Sequence, residues 1–266
     1  MKPTLESRAM KPIECYRDIA SRANRFLYLH DDLINARGRR ANRSWCENFK
    51  QFMNWPSRDE IERVDSANAM VVIRPGSQLT PDDFSASALD DFLRMAIVLG
   101  VSALDRYVHE RVCMGVVAAL RKPKLNRQQE EFSMPAELAL SMLDTALAAK
   151  RRGEQVRPAN EMRNRVQEHL HTRPFQSWRE LEYAFALLGV KNLSGQMQEL
   201  YKIRDIQPIK QKLGAIVSKR NFIVHEGDLK RHKKGGTIQH QDIGRGWVEE
   251  SLEFLDEFVS NLDGVS

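Results

Sequence analysis

The sequence predicts an all-α protein, and three observations carry that prediction. Apolar residues recur at three- and four-residue spacing through most of the chain, the period of a helix buried along one side. Glycine (14) and proline (10) are scarce in 266 residues, which argues against the many turns of a sandwich or barrel. A single short run, Met70 to Ile73, reads as strand. Hydrophobic residues make up 42% and charged residues 29%, a balance that excludes a disordered or fibrous chain. A chain of this length buries roughly 70–75% of its unfolded surface and needs no disulfide or metal to hold it together.

At the N-terminal end, Ile13, Tyr16, Ile19, Ala23, Phe26, Leu27 and Ile34 form a helical stripe over residues 13–34. The basic run Arg37 to Arg43 interrupts it. Ser44 is placed to cap a short second helix carrying Trp45, Phe49, Phe52 and Met53, closed by Pro56. After the strand, Pro75-Gly76 and Thr80-Pro81-Asp82-Asp83 form a turn cluster that sets a boundary. Residues 1–84 are read as an N-terminal helical extension and residues 85–266 as a helical domain. The strongest helix spans 86–121, with Leu89, Phe92, Leu93, Ala96, Leu99, Gly100, Ala103, Leu104 and Tyr107 on one face, and Pro123 stops it. Further helices are expected at 135–150, 159–171, Trp178 to Leu188 with Gly189 as C-cap, 206–225 opened near Pro208, and 247–262.

Composition narrows the class further. Lys and Arg (41) exceed Asp and Glu (36) by five, which permits a polyanionic partner without requiring one. Cys15, Cys46 and Cys113 show no metal or disulfide spacing and read as reduced thiols. The first residues contain no apolar core of a secretory signal, and the longest apolar stretch falls short of a span of about 20 residues. The expectation is a cytoplasmic protein with no membrane partner, no cofactor and no metal.

One segment carries chemistry: Lys219-Arg220-Asn221-Phe222-Ile223-Val224-His225-Glu226-Gly227-Asp228. On a helix, Ile206, Ile209, Leu213, Val217 and Val224 share a stripe with Arg220 at its centre. A guanidinium cannot shed its charge, so it either snorkels, pairs within the chain, or meets an anionic ligand. His225 lies about 140° round the helix from Arg220. Gly227 offers a stop at which unwinding would swing the imidazole back. A lone histidine in such a place is otherwise structural.

Arg220-Asn221-Phe-Ile-Val-His225 resembles the Arg-x4–6-His signature of the HEPN superfamily. The upstream helix with Ala103-Leu104-Asp105-Arg106-Tyr107-Val108-His109-Glu110 is similar to the RiboL-PSP-HEPN subgroup, as is the block around Phe175-Gln176-Ser177-Trp178 and Leu187-Leu188-Gly189-Val190. The similarity covers about residues 85–262 and leaves 1–84 without a role. The resemblance implies a four-helix bundle with helical insertions and a homodimer. It also implies a metal-independent endoribonuclease of toxin–antitoxin or phage-defence systems, with an antitoxin or defence partner protein. Arg220 and His225 would be the catalytic pair, with Asn221 the polar residue between them.

Those residue types suit the reaction. In RNA the 2′-OH attacks the adjacent phosphate, leaving 2′,3′-cyclic phosphate and 5′-OH ends, and an imidazole moves the proton while a guanidinium holds the phosphate. Asp105 and His109 sit one turn apart on the long helix, either as a surface pair or as groups orienting the Arg/His pair. Lys219 and the basic run with Lys230, Arg231, Lys233 and Lys234 are candidate RNA contacts, against the plainer reading of a solvated loop. A non-catalytic helical module binding a partner protein or nucleic acid is the alternative function. A DNA-binding reading is weaker, since no helix-turn-helix is evident.

Overall fold

The computed structural model describes residues 11–38, 42–120, 122–132, 136–153, 158–230 and 239–266. It is mostly helical, with 67% helix and 5% strand. The organising element is α3 (Ala86–Leu120), 35 residues long and thus about 52 Å from end to end. The expected single stripe on α3 is too narrow a description. Leu89, Leu93, Ala96, Ile97, Val101, Leu104, Tyr107, Val108, Val112 and Val116 are all buried, which places α3 inside the molecule with neighbours on most sides.

Those neighbours come from both ends of the chain. The first helix, α1 (Pro12–Leu33), lies along α3 and buries Tyr16, Ala23 and Leu27 against it. The last, α10 (Arg245–Asp263), buries Val248, Leu252, Leu255, Phe258, Val259 and Leu262 against α3 and α1. Gly100 allows this approach: a Cβ there would stand 2.7 Å from Cδ2 of Leu252. Also packed on α3 are α6 (Pro158–Leu170), α7 (Trp178–Leu187) and α9 (Gln207–Glu226). Because α1 is part of this core, the turn cluster before residue 85 does not divide the hydrophobic interior into two.

Between α1 and α3 the chain forms α2 (Arg43–Phe52) and an antiparallel sheet of β1 (Arg37–Gly38), β2 (Glu62–Asp65) and β3 (Met70–Ile73), in that order. Val64 opposes Val71 in the β2–β3 register. The sequence points only to β3, because β2 reads Glu-Arg-Val-Asp and carries no apolar alternation. Arg63 on β2 sets its guanidinium 5.0 Å from the ring centre of Trp45 on α2, and just past these elements Arg74 lies 4.8 Å from the ring centre of Trp55. The cap of α2 is Asn42, whose Oδ1 accepts from the Trp45 amide at 2.6 Å, and the expected Ser44 is already inside the helix.

The remaining helices are α4 (Arg127–Glu130), α5 (Ala136–Arg151) and α8 (Leu193–Tyr201). Nine residues are too few for α8 to show a period, but it buries Leu193 and Met197 and is capped by Asn192. All three cysteines are free, and burial pushes the Cys113 thiol up to about 11, where it is inert. Among the described residues no helix is long and apolar enough to cross a membrane.

Candidate functional site

The motif lies in the last two turns of α9. The helix is opened by Pro208 and anchored by buried Leu213 and Ile216, with Ile206 buried at its N-cap. Ile223, half-buried, packs against the cluster that holds Leu93, Ala96, Ile97 and Ile243. Val224 is 46% exposed, so the buried face runs through Ile216, Arg220 and Ile223 rather than ending on Val224.

Arg220 is half-buried on that face. Its Nη1 donates to Oδ1 of Asn221 at 3.0 Å, and its Nε is shielded from water with no hydrogen-bond partner. Among the described residues no carboxylate lies within ion-pair distance of this guanidinium. Asn221 and His225 are exposed.

The expected return of the imidazole toward the guanidinium does not occur. The α9 hydrogen-bond ladder continues through Glu226, and the left-handed residues come only afterwards, Gly227 at φ +61° and Asp228 at φ +56°. His225 therefore remains on regular helix, and its Cα–Cβ direction diverges from that of Arg220 by about 140°.

A buried charge cluster closes the end of α9. Asp228 is wholly enclosed. Its carboxylate accepts from Arg94 Nε at 3.0 Å and from Lys219 Nζ at 2.7 and 2.9 Å. Arg94 also reaches the Asp91 carboxylate at 3.1 Å and the Gln241 carbonyl at 2.9 Å. Lys219, expected at the RNA, is instead committed to this pocket. The Gln241 amide returns to the Asp228 carbonyl at 2.7 Å and the Lys230 amide to that of Gln239 at 2.8 Å, with Leu229 and His240 paired between them. A short antiparallel ladder thus stands on the end of α9. On it, Lys230 is exposed and lies 3.4 Å from the Asp242 carboxylate. Arg231, Lys233 and Lys234 lie outside the described residues.

Asp105 and His109 belong to a different place. Asp105 Oδ1 accepts from the Phe175 amide at 2.6 Å, and His109 Nε2 donates to the Arg173 carbonyl at 3.0 Å. The imidazole rests against the Phe175 ring with centres 4.7 Å apart. Burial pushes it below the ordinary histidine value, against the opposing pull of Asp105. Arg94, which touches the end of α9, is eleven residues and about 16 Å back along α3. The pair braces the segment before α7, and among the described residues neither side chain hydrogen-bonds Arg220 or His225.

Sequence reasoning missed Arg94, Asp228 and His240. A charged residue directly after a helix-stopping glycine is the one trace Asp228 leaves; its partner on α3 is 134 residues away and leaves none. Among the described residues no three His, Cys, Asp or Glu side chains gather as metal ligands would. Compared with protein-family models, curated proteins and solved structures, the chain gives no match.

Proposed function

We propose that the protein is a metal-independent endoribonuclease of the HEPN type, a toxin or phage-defence effector that cleaves RNA through 2′-OH attack. The observation that carries this reading is Arg220: a half-buried guanidinium with a water-shielded, unbonded Nε and no counter-charge among the described residues, five residues ahead of an exposed histidine. Arginine is rarely held away from water without an anion, and phosphate supplies one in bidentate geometry. Arg220 binds the scissile phosphate and stabilises the charge developing on it, Asn221 holds the guanidinium, and His225 transfers a proton. The HEPN resemblance adds a four-helix core and a homodimer, in which a second chain brings another Arg/His pair to the cleft. It also adds a partner protein that restrains the activity.

The divergence of Arg220 and His225 round α9 favours a second reading, a non-catalytic helical module that binds a partner protein or nucleic acid. One experiment separates the two. Purified protein is incubated with total RNA in EDTA and compared with an Arg220→Ala/His225→Ala double variant. Cleavage by the wild type alone, with 2′,3′-cyclic phosphate and 5′-OH ends, supports the enzyme. RNA left intact by both proteins supports the module.

A further inference from the structure

We propose that His240 is a second proton-transfer group at the end of α9, an inference that rests on the ribonuclease reading. His240 is exposed on the ladder, opposite Leu229, and its Nδ1 lies 3.2 Å from the Gly227 carbonyl. A carbonyl oxygen only accepts, so Nδ1 carries the hydrogen and the neutral ring presents Nε2 with a free lone pair. Gly227 comes two residues after His225, about 5 Å between α-carbons at helical spacing. Two imidazoles thus stand at one helix end, beyond Arg220.

The reaction has work for both. As the 2′-oxygen forms its bond to phosphorus, its proton must leave; as the bond from phosphorus to the 5′-oxygen breaks, that oxygen must gain one. One imidazole cannot be basic and acidic in the same step. His240 Nε2 takes the 2′-OH proton, His225 as imidazolium gives its proton to the departing 5′-oxygen, and the electrons of the broken P–O bond stay on that oxygen. The products are a 2′,3′-cyclic phosphate and a 5′-OH, with His240 charged and His225 neutral; exchange with water resets both.

The charged and titratable groups that precede Gly227 on α9 are His225 and Glu226, and the ladder that carries His240 also carries Lys230 and Asp242, paired with each other at 3.4 Å. Beneath them Asp228 is already paired to Arg94 and Lys219, and Arg94 also to Asp91. The base position is therefore reached by substrate without breaking a buried ion pair.

His240→Asn is the test, because the Asn side-chain amide keeps a donor for the Gly227 carbonyl while removing Nε2. The rate of cleavage of an end-labelled mixed-sequence RNA oligonucleotide is measured against pH in EDTA, with His240→Gln alongside. The expected result is a bell-shaped wild-type profile that loses its acid-side limb in both variants. With it, kcat should fall about 10²–10⁴-fold at unchanged KM. A purely structural histidine would leave the His240→Asn bell intact, and that outcome overturns the assignment while leaving the ribonuclease standing. A wild type that cleaves nothing removes both.

Discussion

Arg94 and Asp228 meet at 3.0 Å across 134 residues of chain, and the carboxylate they share with Lys219 is sealed from solvent. The contact ties the start of α3 to the residues after α9. It also explains why Asp228 adopts φ +56°, a left-handed conformation unfavourable for a side-chain-bearing residue. In that conformation the carboxylate reaches between two cations, Arg94, which also holds Asp91, and Lys219, which meets no other carboxylate among the described residues.

Asp228→Asn keeps the volume and removes the charge, so it should be strongly destabilising. Breaking a buried pair by removing one partner costs about 3–5 kcal/mol. For a chain of this size each kcal/mol moves the melting temperature by roughly 2–4 °C, so a drop of about 10 °C is expected in a calorimetric melt. Lys219→Met should cost less, since Arg94 still neutralises the carboxylate. Equal melting temperatures for Asp228→Asn and wild type would refute the account.

The long helices are legible because their apolar period persists over many turns; residues 86–120 could hardly be read otherwise. The same signal fails for α8, at nine residues, and for β2, whose Glu62, Arg63 and Asp65 give no alternation. Local spacing locates Arg220 on the buried side of α9. It does not reveal that Lys219 is held by Asp228, or that Asp105 caps the Phe175 amide 70 residues on. Those pairings are tertiary, made between charged residues that look interchangeable in sequence, and only packing selects them.

Two helical glycines should respond differently to alanine. At Gly100 a Cβ would meet Leu252 Cδ2 at 2.7 Å and Leu255 Cδ1 at 3.2 Å, and Leu255 is wholly buried. At Gly115 it would meet Cδ2 of half-buried Leu188 at 2.6 Å, a side chain with room to turn toward solvent. Overpacking costs about 1–3 kcal/mol and the gain in helix propensity is about 0.5–1 kcal/mol. Gly100→Ala should therefore destabilise clearly, while Gly115→Ala stays near neutral in urea denaturation. The reverse order would show that α10, and not Leu188, is the yielding neighbour.

His109 predicts a pH dependence of stability with a definite sign. Its folded-state pKa is lowered by burial, so below the ordinary value near 6.5 the unfolded chain takes up a proton that the folded chain refuses. Stability should fall as pH drops below about 6.5, and the decline should end once the folded ring is protonated too. His109→Gln keeps a donor for the Arg173 carbonyl and cannot titrate. Chemical denaturation between pH 5 and 8, a range chosen to bracket about 6.5, should show a smaller acid-side decline in His109→Gln than in wild type. Parallel curves would exclude His109 as the source.

The last prediction separates the duties of Arg220 and His225. His225 is exposed on regular helix, so His225→Ala should fold as the wild type does and bind RNA almost as well. As a proton-transfer group it should nevertheless cost about 10²–10⁴-fold in cleavage rate. Arg220 lies on the buried face beside Ile216 and Ile223, and it would touch phosphate in the ground state and the transition state alike. Arg220→Ala should therefore lose both rate and affinity, seen as a fall in kcat with a rise in KM. It should not unfold the protein, since no ion pair among the described residues is broken and an unbonded Nε is removed from a shielded position. Arg220→Lys should fail to restore activity, because an ammonium cannot span two phosphate oxygens as a guanidinium does. Single-turnover cleavage and RNA-binding titrations on the three variants check the division. If Arg220→Lys cleaves at the wild-type rate, the guanidinium is not holding phosphate in that geometry; if His225→Ala does, the proton moves through another group.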